Sequence, residues 1–456
     1  MATQGDCNGV HILTIPFPAA GHILPHMDLI HQFVLRGLTV TILVTPKNLH
    51  YLNPLLSFHS SSNVQTLVLP FPSHSSIPPG VENMQDVTLS FAPDFVTALS
   101  KLYDPLVQWF HAHRYPPVAI LSDMLLSSWV NSLASHLNIQ NLSFSVLNAN
   151  SMFHWMVKAL KVRDDAFSTG VDLVSVGSWG LIFNTFTELD GAKMNMIKEE
   201  FTKHDRLWAV GPLLPIKASS MGSNERGGPS SIQQDQVVAW LDSCQSDKTV
   251  VYVGFGTQIT LTKQQMDAVA SALEESGVRF IWAVKDPMKG KQNGDDQNVV
   301  PRGFEERVGG RGLVIKGWTP QLAILEHQAV GSYLTHCGWN SVLEGLLGGV
   351  LLLAWPMQVD HFDNTKLLVD ELGVAIRVCE GLDSVPDATK LARILSDSVS
   401  MDRFREERNR AMQLRKTALA AIQKGGSSDE ALECLVEELC SLNINAEEKE
   451  IKPNNK

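Results

Sequence analysis

In the first half of the chain, segments with the hydrophobic pattern of a strand alternate with segments that have the pattern of a helix. From Val10 to about Leu213, short runs rich in Val, Ile, Leu and Phe are separated by stretches whose apolar residues recur every three or four positions. The short runs have the length of strands and are HILTIPF, TVTILV, VQTLVLP, VAILSD, LSFSVL, GLIFNTF and LWAVGPL. Strands that alternate with helices form parallel sheets with crossover helices. We therefore predict an α/β fold, in which ligands bind beyond the carboxyl ends of the strands.

The alternation restarts after a polar segment, which indicates a second domain. Residues 215–236 are rich in Gly and Ser and are typical of an interdomain linker. Further strands are predicted at TVVYVGFG, RFIWAV, GLVIKGW and GVAIRV. Because 456 residues are long for one core, we predict an N-terminal domain over 1–240, a C-terminal domain over 241–442 and a disordered tail over 443–456.

Two titratable residues follow strands of the first domain. His22 begins a helix, and the positive end of a helix favours the neutral imidazole that a general base requires. Asp123 ends VAILSD, and in a sheet of order 3-2-1-4-5 the first and fourth strands are neighbours. A carboxylate on one ring nitrogen fixes the tautomer and stabilises the imidazolium. The order thus predicts a His22–Asp123 pair, although each residue taken alone could be an ordinary helix-end contact or N-cap.

The densest set of polar side chains lies between residues 318 and 361. Here the predicted strand AVGSYLTH ends at His336, and after a short turn a helix begins at Asn340. A helix start offers unpaired N–H groups and positive potential, and Asn340 and Ser341 add donors, so we expect an anion such as phosphate. Glu344 shares the helix face of Ser341 and can accept hydrogen bonds from a diol such as a ribose. The stretch therefore predicts a site for phosphate and sugar hydroxyls.

These 44 residues, WTPQLAILEHQAVGSYLTHCGWNSVLEGLLGGVLLLAWPMQVDH, resemble the signature box of plant secondary-product UDP-glycosyltransferases. That box begins with Trp, carries HCGWNS and ends in Asp or Glu followed by Gln, so only His361 departs from it. The resemblance implies a GT-B fold, with two Rossmann-like domains facing across a cleft. It also implies that the first domain binds the acceptor, with His22 and Asp123 as catalytic residues, and that the second binds the UDP-sugar donor.

The resemblance further implies a role for single residues of the donor site. The implied contacts are Trp318 and Thr319 to uracil, Gln321 and Glu344 to ribose, His336, Trp339, Asn340 and Ser341 to the diphosphate, Asp360 and His361 to the sugar, and Thr257 as a secondary contact. Taken one at a time, such a Trp is usually a core residue and such an Asn a helix cap. The loops at 74–94 and 148–177 are expected to bind the acceptor.

The donor sugar depends, on this interpretation, on Asp360 and His361. The end of a Gln side chain offers both a donor and an acceptor, whereas one imidazole nitrogen offers only one of the two. The replacement of Gln by His361 therefore favours a sugar with a different hydroxyl arrangement. The stretches VLEGLLGGVLLLAWPMQVDHFDNT and DSVPDATKLARIL resemble flavonol 7-O-rhamnosyltransferases, whose donor is UDP-rhamnose. We therefore expect inverting transfer of rhamnose to a flavonol hydroxyl, with the 7-OH favoured, and galactose or glucose as the alternatives. A phenolic hydroxyl is a suitable acceptor because its pKa, about 10, is low enough for an imidazole base to remove the proton.

Composition limits the partners. The formal net charge of −11 argues against nucleic acid or an anionic membrane. No apolar run reaches about 18 residues, and the first residues lack a signal pattern. The six cysteines show no CxxC pairing, which is typical of reduced thiols. We expect a cytoplasmic monomer of plant secondary metabolism that binds a UDP-sugar and a small phenol.

Three further expectations complete the sequence-based interpretation. The chain contains no Asp-x-Asp, so we expect neither a metal nor a cofactor beyond the UDP-sugar co-substrate. A dehydrogenase is disfavoured because the turn GFGT at 254–257 lacks the third glycine of GxGxxG. A non-catalytic UDP-sugar-binding protein stays open as an alternative.

Overall fold

The structure is a computed structural model that describes residues 9–161, 177–202, 204–216, 230–285, 297–400 and 402–451. The chain divides into two compact units. The first comprises Met1–Gly222 with Ala420–Lys456, and the second comprises Ser223–Leu419. Each unit contains its own parallel sheet, which confirms the predicted pair of α/β domains.

In the described residues of the first unit, seven parallel strands lie in the order β3-β2-β1-β4-β5-β6-β7. The strands are β1 His11–Ile15, β2 Thr39–Val44, β3 Val64–Val68, β4 Ala119–Asp123, β5 Gln140–Ser145, β6 Gly180–Phe183 and β7 Leu207–Ala209. β1 is buried on both faces and pairs with both β2 and β4. The predicted 3-2-1-4-5 order is therefore confirmed, and it brings the carboxyl ends of β1 and β4 together.

Helices connect these strands. They are α1 Ala20–Leu35, α2 Asn53–Phe58, α3 Ala92–Ser100, α4 Tyr103–Ala112, α5 Ser127–His136, α6 Ala149–Lys161 and α7 Thr187–Ile197, with 3₁₀ turns at Pro46–Leu52, Met84–Asp86, Leu89–Phe91 and Met124–Leu126 and a π turn at Lys198–Thr202. α1 buries the stripe Ile23, Met27, Ile30 and Val34 that its periodicity predicts. This burial fixes the rotation of α1, and with it the direction of the residues in its first turn.

The second unit repeats the architecture with the strand order β10-β9-β8-β11-β12-β13. Its strands are β8 Val250–Gly254, β9 Arg279–Val284, β10 Gly312–Lys316, β11 Val330–Thr335, β12 Leu351–Ala354 and β13 Ala375–Arg377. Its helices are α8 Gln234–Asp242, α9 Lys263–Ser276, α10 Phe304–Val308, α11 Gln321–Glu326, α12 Trp339–Gly348, α13 His361–Thr365, α14 Ala388–Ser398 and α15 Arg405–Ala421, with a π turn at Lys366–Glu371. One hydrophobic cluster of this unit lies between the sheet and the helices α9 and α14.

The last helix, α16 Ser427–Ile451, corrects the predicted domain boundaries. We expected 241–442 to belong to the second domain and 443–456 to be disordered, but α16 continues to Ile451 and belongs to the first unit. Buried Ser428 donates to the Gly211 carbonyl, and Arg36 bonds Asp429 at 2.9 Å. The helix buries an apolar stripe formed by Leu432, Leu435, Val436 and Leu439. The helix follows the second domain directly in the sequence, so it was assigned to that domain. Its buried face, however, packs in the first unit. Residues 452–456 lie outside the described residues.

The start of the second unit also differs from the prediction. Ser230 pairs with Gly317, and α8 begins at Gln234 with a capping box between Gln233 and Gln236. Residues 230–236 are therefore part of the second unit, and the boundary lies before 241. The rest of the predicted linker, 217–229, lies outside the described residues.

Two other sequence expectations have structural outcomes. No helix within the described ranges combines the length and the apolar character that crossing a bilayer would need. Cys244, Cys337, Cys379 and Cys434 are free, but Cys440 is disulfide-bonded, so the expectation of reduced thiols is wrong for Cys440. A rule based on CxxC spacing does not detect a cysteine that is paired outside that pattern.

Candidate active site

His22 and Asp123 meet at the carboxyl ends of β1 and β4. His22 lies in the first turn of α1, and Asp123 is the last residue of β4. His22 Nδ1 is 2.8 Å from Asp123 Oδ2. The Asp123 side chain is fully buried, whereas that of His22 is 21% exposed. The structure thus brings together the two residues that strand order predicted to be neighbours, and we name this pair the base site.

The charge state of Asp123 fixes the tautomer of His22. Burial alone would raise the pKa of Asp123, but the charge and hydrogen bond of His22, with smaller effects of His26 and the Leu125 N–H, hold that pKa below its ordinary value. An ionised carboxylate only accepts hydrogen bonds, so the proton of a neutral His22 ring lies on Nδ1. Nε2 is therefore the ring atom able to take a proton.

His26, which the sequence analysis missed, packs on the same carboxylate. Its Nδ1 lies 3.9 Å from Asp123 Oδ2 and 2.9 Å from the His22 carbonyl oxygen. Its ring meets Phe144 edge-on, with centroids 4.7 Å apart. Burial lowers the pKa of His26 to about 4, so its ring is neutral at pH 7. The i, i+4 spacing from His22 on a helix was the signal available in the sequence.

An apolar wall stands beside His22. The Phe17 ring lies 5.3 Å from the His22 ring, and Phe95 packs on Phe17 at 6.2 Å. Met84, from the predicted acceptor loop at 74–94, is buried in the same cluster, and its N–H donates to the Pro18 carbonyl. This loop therefore lies next to the base site. Of the other predicted acceptor loop, residues 162–176 lie outside the described residues.

In the second unit, a helix N-terminus and a histidine come together after β11. α12 begins at Trp339, one residue before the predicted start, and its N-cap residue is Gly338, which has no side chain to cap the helix. The His336 ring lies between two glycines: a Cβ at Gly256 would approach its Cε1 to 2.7 Å, and one at Gly338 its Nε2 to 2.6 Å. Gly256 also has a φ of +69°, which favours glycine. Thr257 follows Gly256 and so lies in the turn beside His336.

His336 and His361 form a neutral pair. Their rings meet edge-on, with centroids 4.7 Å apart. Burial lowers the pKa of His336 to about 4, and burial together with His336 lowers the pKa of His361 well below its ordinary value. His361 Nδ1 accepts the Gln358 N–H at 3.3 Å, so its Nε2 carries the proton and can donate. The two rings thus act through hydrogen bonds at pH 7, without a positive charge.

Asp360 is held by an asparagine that the sequence analysis missed. Asn364 Nδ2 donates to Asp360 Oδ2 at 2.7 Å and to the Cys337 carbonyl at 2.9 Å. Both Asp360 and Asn364 are buried. One amide therefore ties the start of α13 to the turn before α12. The signal in the sequence was again an i, i+4 pair on one helix face.

Gln321, Ser341 and Glu344 also come into contact. Gln321 Nε2 donates to Glu344 Oε2 at 2.5 Å and to Ser341 Oγ at 3.3 Å. Trp318 and Thr319 lie in the turn before α11, where the Thr319 carbonyl accepts the Gln321 N–H at 2.7 Å. The remaining predicted residues differ in exposure, since Trp339 is buried and Asn340 is half-buried. We call the predicted donor residues together, from Thr257 to His361, the donor site.

Comparison with known proteins identifies the class. The family model for UDP-glucoronosyl and UDP-glucosyl transferase matches residues 230–401, which contain the whole donor site. With the relatives given next, this match shows that the chain belongs to the UDP-glycosyltransferase family, as the signature box predicted. The dehydrogenase alternative is thereby removed.

Particular relatives refine the comparison. The chain is 51% identical to a flavonol 7-O-rhamnosyltransferase of Arabidopsis thaliana, over 94% of this chain and 98% of the relative. It is 44% identical to flavonol 3-O-glucosyltransferase UGT89B1 of the same plant, over 95% and 97%. The crystal structure of Arabidopsis thaliana UGT89C1 complexed with UDP-L-rhamnose matches with a TM-score of 0.86 and 50% identity, over 94% of this chain and 99% of that one.

Proposed function

We propose that this UDP-glycosyltransferase moves rhamnose from UDP-rhamnose to a flavonol, at the 7-hydroxyl, with inversion at the anomeric carbon. The observation that carries the proposal is the 2.8 Å contact between His22 and buried Asp123, which leaves His22 Nε2 as the proton acceptor. The 51% identity to a flavonol 7-O-rhamnosyltransferase supports the choice of sugar and acceptor. A solved structure of UGT89C1 complexed with quercetin, at 49% identity, supports a flavonol.

The proposed reaction begins with a proton transfer. His22 Nε2 takes the proton of the flavonol hydroxyl, while Asp123 stabilises the imidazolium through Nδ1–H. The flavonol oxygen forms a bond to the anomeric carbon on the face opposite UDP, and the bond from that carbon to the UDP oxygen breaks. The apolar wall around Phe17 suits a planar aromatic acceptor beside the imidazole.

The departing UDP takes up negative charge, which the donor site can stabilise with hydrogen bonds. We assign this role to the backbone N–H groups at the start of α12 and to the neutral His336 ring. Among the described residues, no cluster of three or more His, Cys, Asp or Glu side chains could hold a metal ion. We propose that no metal takes part, and we expect a chelator such as EDTA to leave the rate unchanged.

Asp360 and His361 are proposed to select the sugar. Asn364 fixes Asp360, and the Gln358 N–H orients His361, so one acceptor and one donor have defined directions. The second candidate is a flavonol glucosyltransferase, which is favoured by the 44% identity to a flavonol 3-O-glucosyltransferase. Galactose, which the sequence alone favours over glucose because of His361, becomes the third choice after this comparison.

The test is mass spectrometry of products from quercetin or kaempferol offered UDP-rhamnose, UDP-glucose or UDP-galactose in separate reactions. We expect a rhamnoside that carries the sugar on the 7-oxygen. His361→Gln is expected to shift the preference among the three donors. A glucoside as the main product would favour the second candidate. No product with any donor, from a protein that binds UDP, would instead support a non-catalytic UDP-sugar-binding protein.

A further inference from the structure

The side-chain amide of Gln321 uses its full hydrogen-bonding capacity inside the second unit. Oε1 accepts from the Tyr252 hydroxyl at 3.1 Å and from the Tyr333 hydroxyl at 3.0 Å. Nε2 donates to Glu344 and to Ser341. A primary amide has two lone pairs and two N–H groups, so four partners fill it.

The two tyrosines are built into the sheet as a pair. Tyr252 on β8 lies directly opposite Tyr333 on β11, and their ring centroids are 4.8 Å apart. Both rings are buried, and burial raises the pKa of both hydroxyls, so both stay protonated and can donate. Gly254, two residues beyond Tyr252, leaves the space for this hydroxyl, because a Cβ there would lie 2.9 Å from it.

We propose that Tyr252 and Tyr333 are positioning residues for the UDP-sugar, which fix the Gln321 amide in one of its two orientations. The inference rests on the proposed function and on the expectation, implied by the signature box, that Gln321 and Glu344 contact the ribose. With Oε1 held by two hydroxyl donors, the N–H groups of Gln321 face Glu344. The flipped amide would place Oε1 against a carboxylate that only accepts hydrogen bonds. The tyrosines thus set the direction of the Gln321 amide, which holds Glu344, the carboxylate expected to bind the ribose diol, and they do so without contacting the ligand.

The direct test measures UDP binding by isothermal titration calorimetry. Tyr252→Phe and Tyr333→Phe each remove one hydroxyl and keep the ring. We expect each change to weaken UDP binding by about 5- to 30-fold, the range for a lost buried hydrogen bond. The donor KM should rise by a similar factor, while kcat and the acceptor KM stay nearly constant, because ground-state and transition-state binding suffer equally.

Tyr51→Phe is the matched control. Tyr51 lies buried in the first unit, and its hydroxyl likewise donates to a glutamine Oε1, that of Gln85, at 3.2 Å. This variant loses the same atom from the same kind of bond, so a general effect on stability would appear in it too. We expect its UDP affinity to equal that of the wild type.

A comparison of UDP with 2′-deoxy-UDP tests whether the effect concerns the ribose diol. The wild type should bind 2′-deoxy-UDP more weakly, and this difference should shrink in the Tyr252→Phe/Tyr333→Phe protein. In a Gln321→Ala background, the tyrosine changes should have no further effect on UDP affinity. If a phenylalanine variant does not fold, Gly254→Ala keeps both hydroxyls, displaces the Tyr252 ring and should weaken UDP binding in the same way.

The outcomes separate this inference from the proposed function. A wild-type protein that does not bind UDP would overturn both. If the wild type binds UDP and the folded phenylalanine variants bind it equally well, only the positioning role is lost. An unchanged penalty for 2′-deoxy-UDP in the double variant would likewise overturn the positioning role and leave the proposed function intact.

Discussion

The base site of the first unit and the donor site of the second unit are organised in opposite ways. His22 and Asp123 are 101 positions apart and meet only because β1 and β4 are neighbours in the sheet. The donor site, apart from Thr257, comes from one stretch of 44 residues, in which strand, turn and helix follow directly. The base site therefore depends on the whole sheet, whereas most of the donor site depends on local structure.

The two sites also differ in charge. In the base site a buried carboxylate keeps its charge because an imidazole lies against it. In the donor site two imidazoles, half-buried His336 and buried His361, stay neutral because removal from water lowers their pKa. The base site is therefore suited to proton transfer. The donor site is suited to hydrogen bonding, in which neutral imidazoles contact the negative charge of the ligand.

The largest expected effect is on the base site. His22→Ala should lower kcat by about 10²- to 10⁴-fold, which is the usual contribution of a general base. UDP affinity, measured by calorimetry, should not change, since the donor residues lie in the second unit. Activity close to that of the wild type would mean that another group takes the proton.

Asp123→Asn should give the next largest loss, of about 10²-fold or more in kcat. The amide can donate to His22 Nδ1 and so stabilise the wrong tautomer, with the proton on Nε2. Asp190→Asn is the control, because Asp190 is also a buried carboxylate of the first unit, bonded to the Ala149 N–H and to Thr185. It should lower the melting temperature without a comparable loss of kcat. Equal losses in both variants would reduce Asp123 to a structural role.

In the donor site, Gly256→Ala should weaken UDP binding by about tenfold. The new Cβ would push the His336 ring, and alanine at a φ of +69° adds backbone strain. Gly277→Ala is matched in backbone, since Gly277 also has a φ of +69° but no atom within 4 Å of an added Cβ. This control should lose stability and keep its UDP affinity. If both variants bind UDP alike, the contact with His336 is not needed for the donor.

The last expected effect concerns stability rather than activity, and it is a pH dependence that arises from His26. Its pKa is about 4 when folded and 6.5 in an ordinary environment, so the unfolded chain binds more protons between these values. Stability must then fall as the pH drops through this window, by about 2 kcal/mol between pH 7 and pH 5. Urea unfolding of wild type and His26→Gln at both pH values measures the difference. An equal loss in both proteins would show that His26 makes no contribution.

The sequence predicts the fold well and the detailed contacts less well. The strand order follows from the hydrophobic pattern and the rules for parallel sheets. Because this order places the ends of β1 and β4 side by side, the contact between His22 and Asp123 could be predicted. The end of α16 could not be, because a polar C-terminal stretch gives no sign of which unit it packs on.

The supporting residues Tyr252, Tyr333 and Asn364 were also missed. A buried aromatic in a strand has the same pattern whether or not its hydroxyl has a partner. Tyr252 and Tyr333 acquire their common partner, Gln321, only when β8 and β11 pair. The sequence patterns therefore identified residues that belong to a recognisable motif. They did not identify residues whose contacts form only when strands distant in sequence pair.

The return of α16 to the first unit sets a rule for building chimeric enzymes from this family. An exchange at the interdomain linker alone would join an N-terminal half to a foreign last helix and lose the bonds of Arg36 to Asp429 and Glu433. A donor-specificity graft should therefore carry about residues 223–419 and keep both ends of the host chain. Two crossover points, rather than one, preserve the first unit.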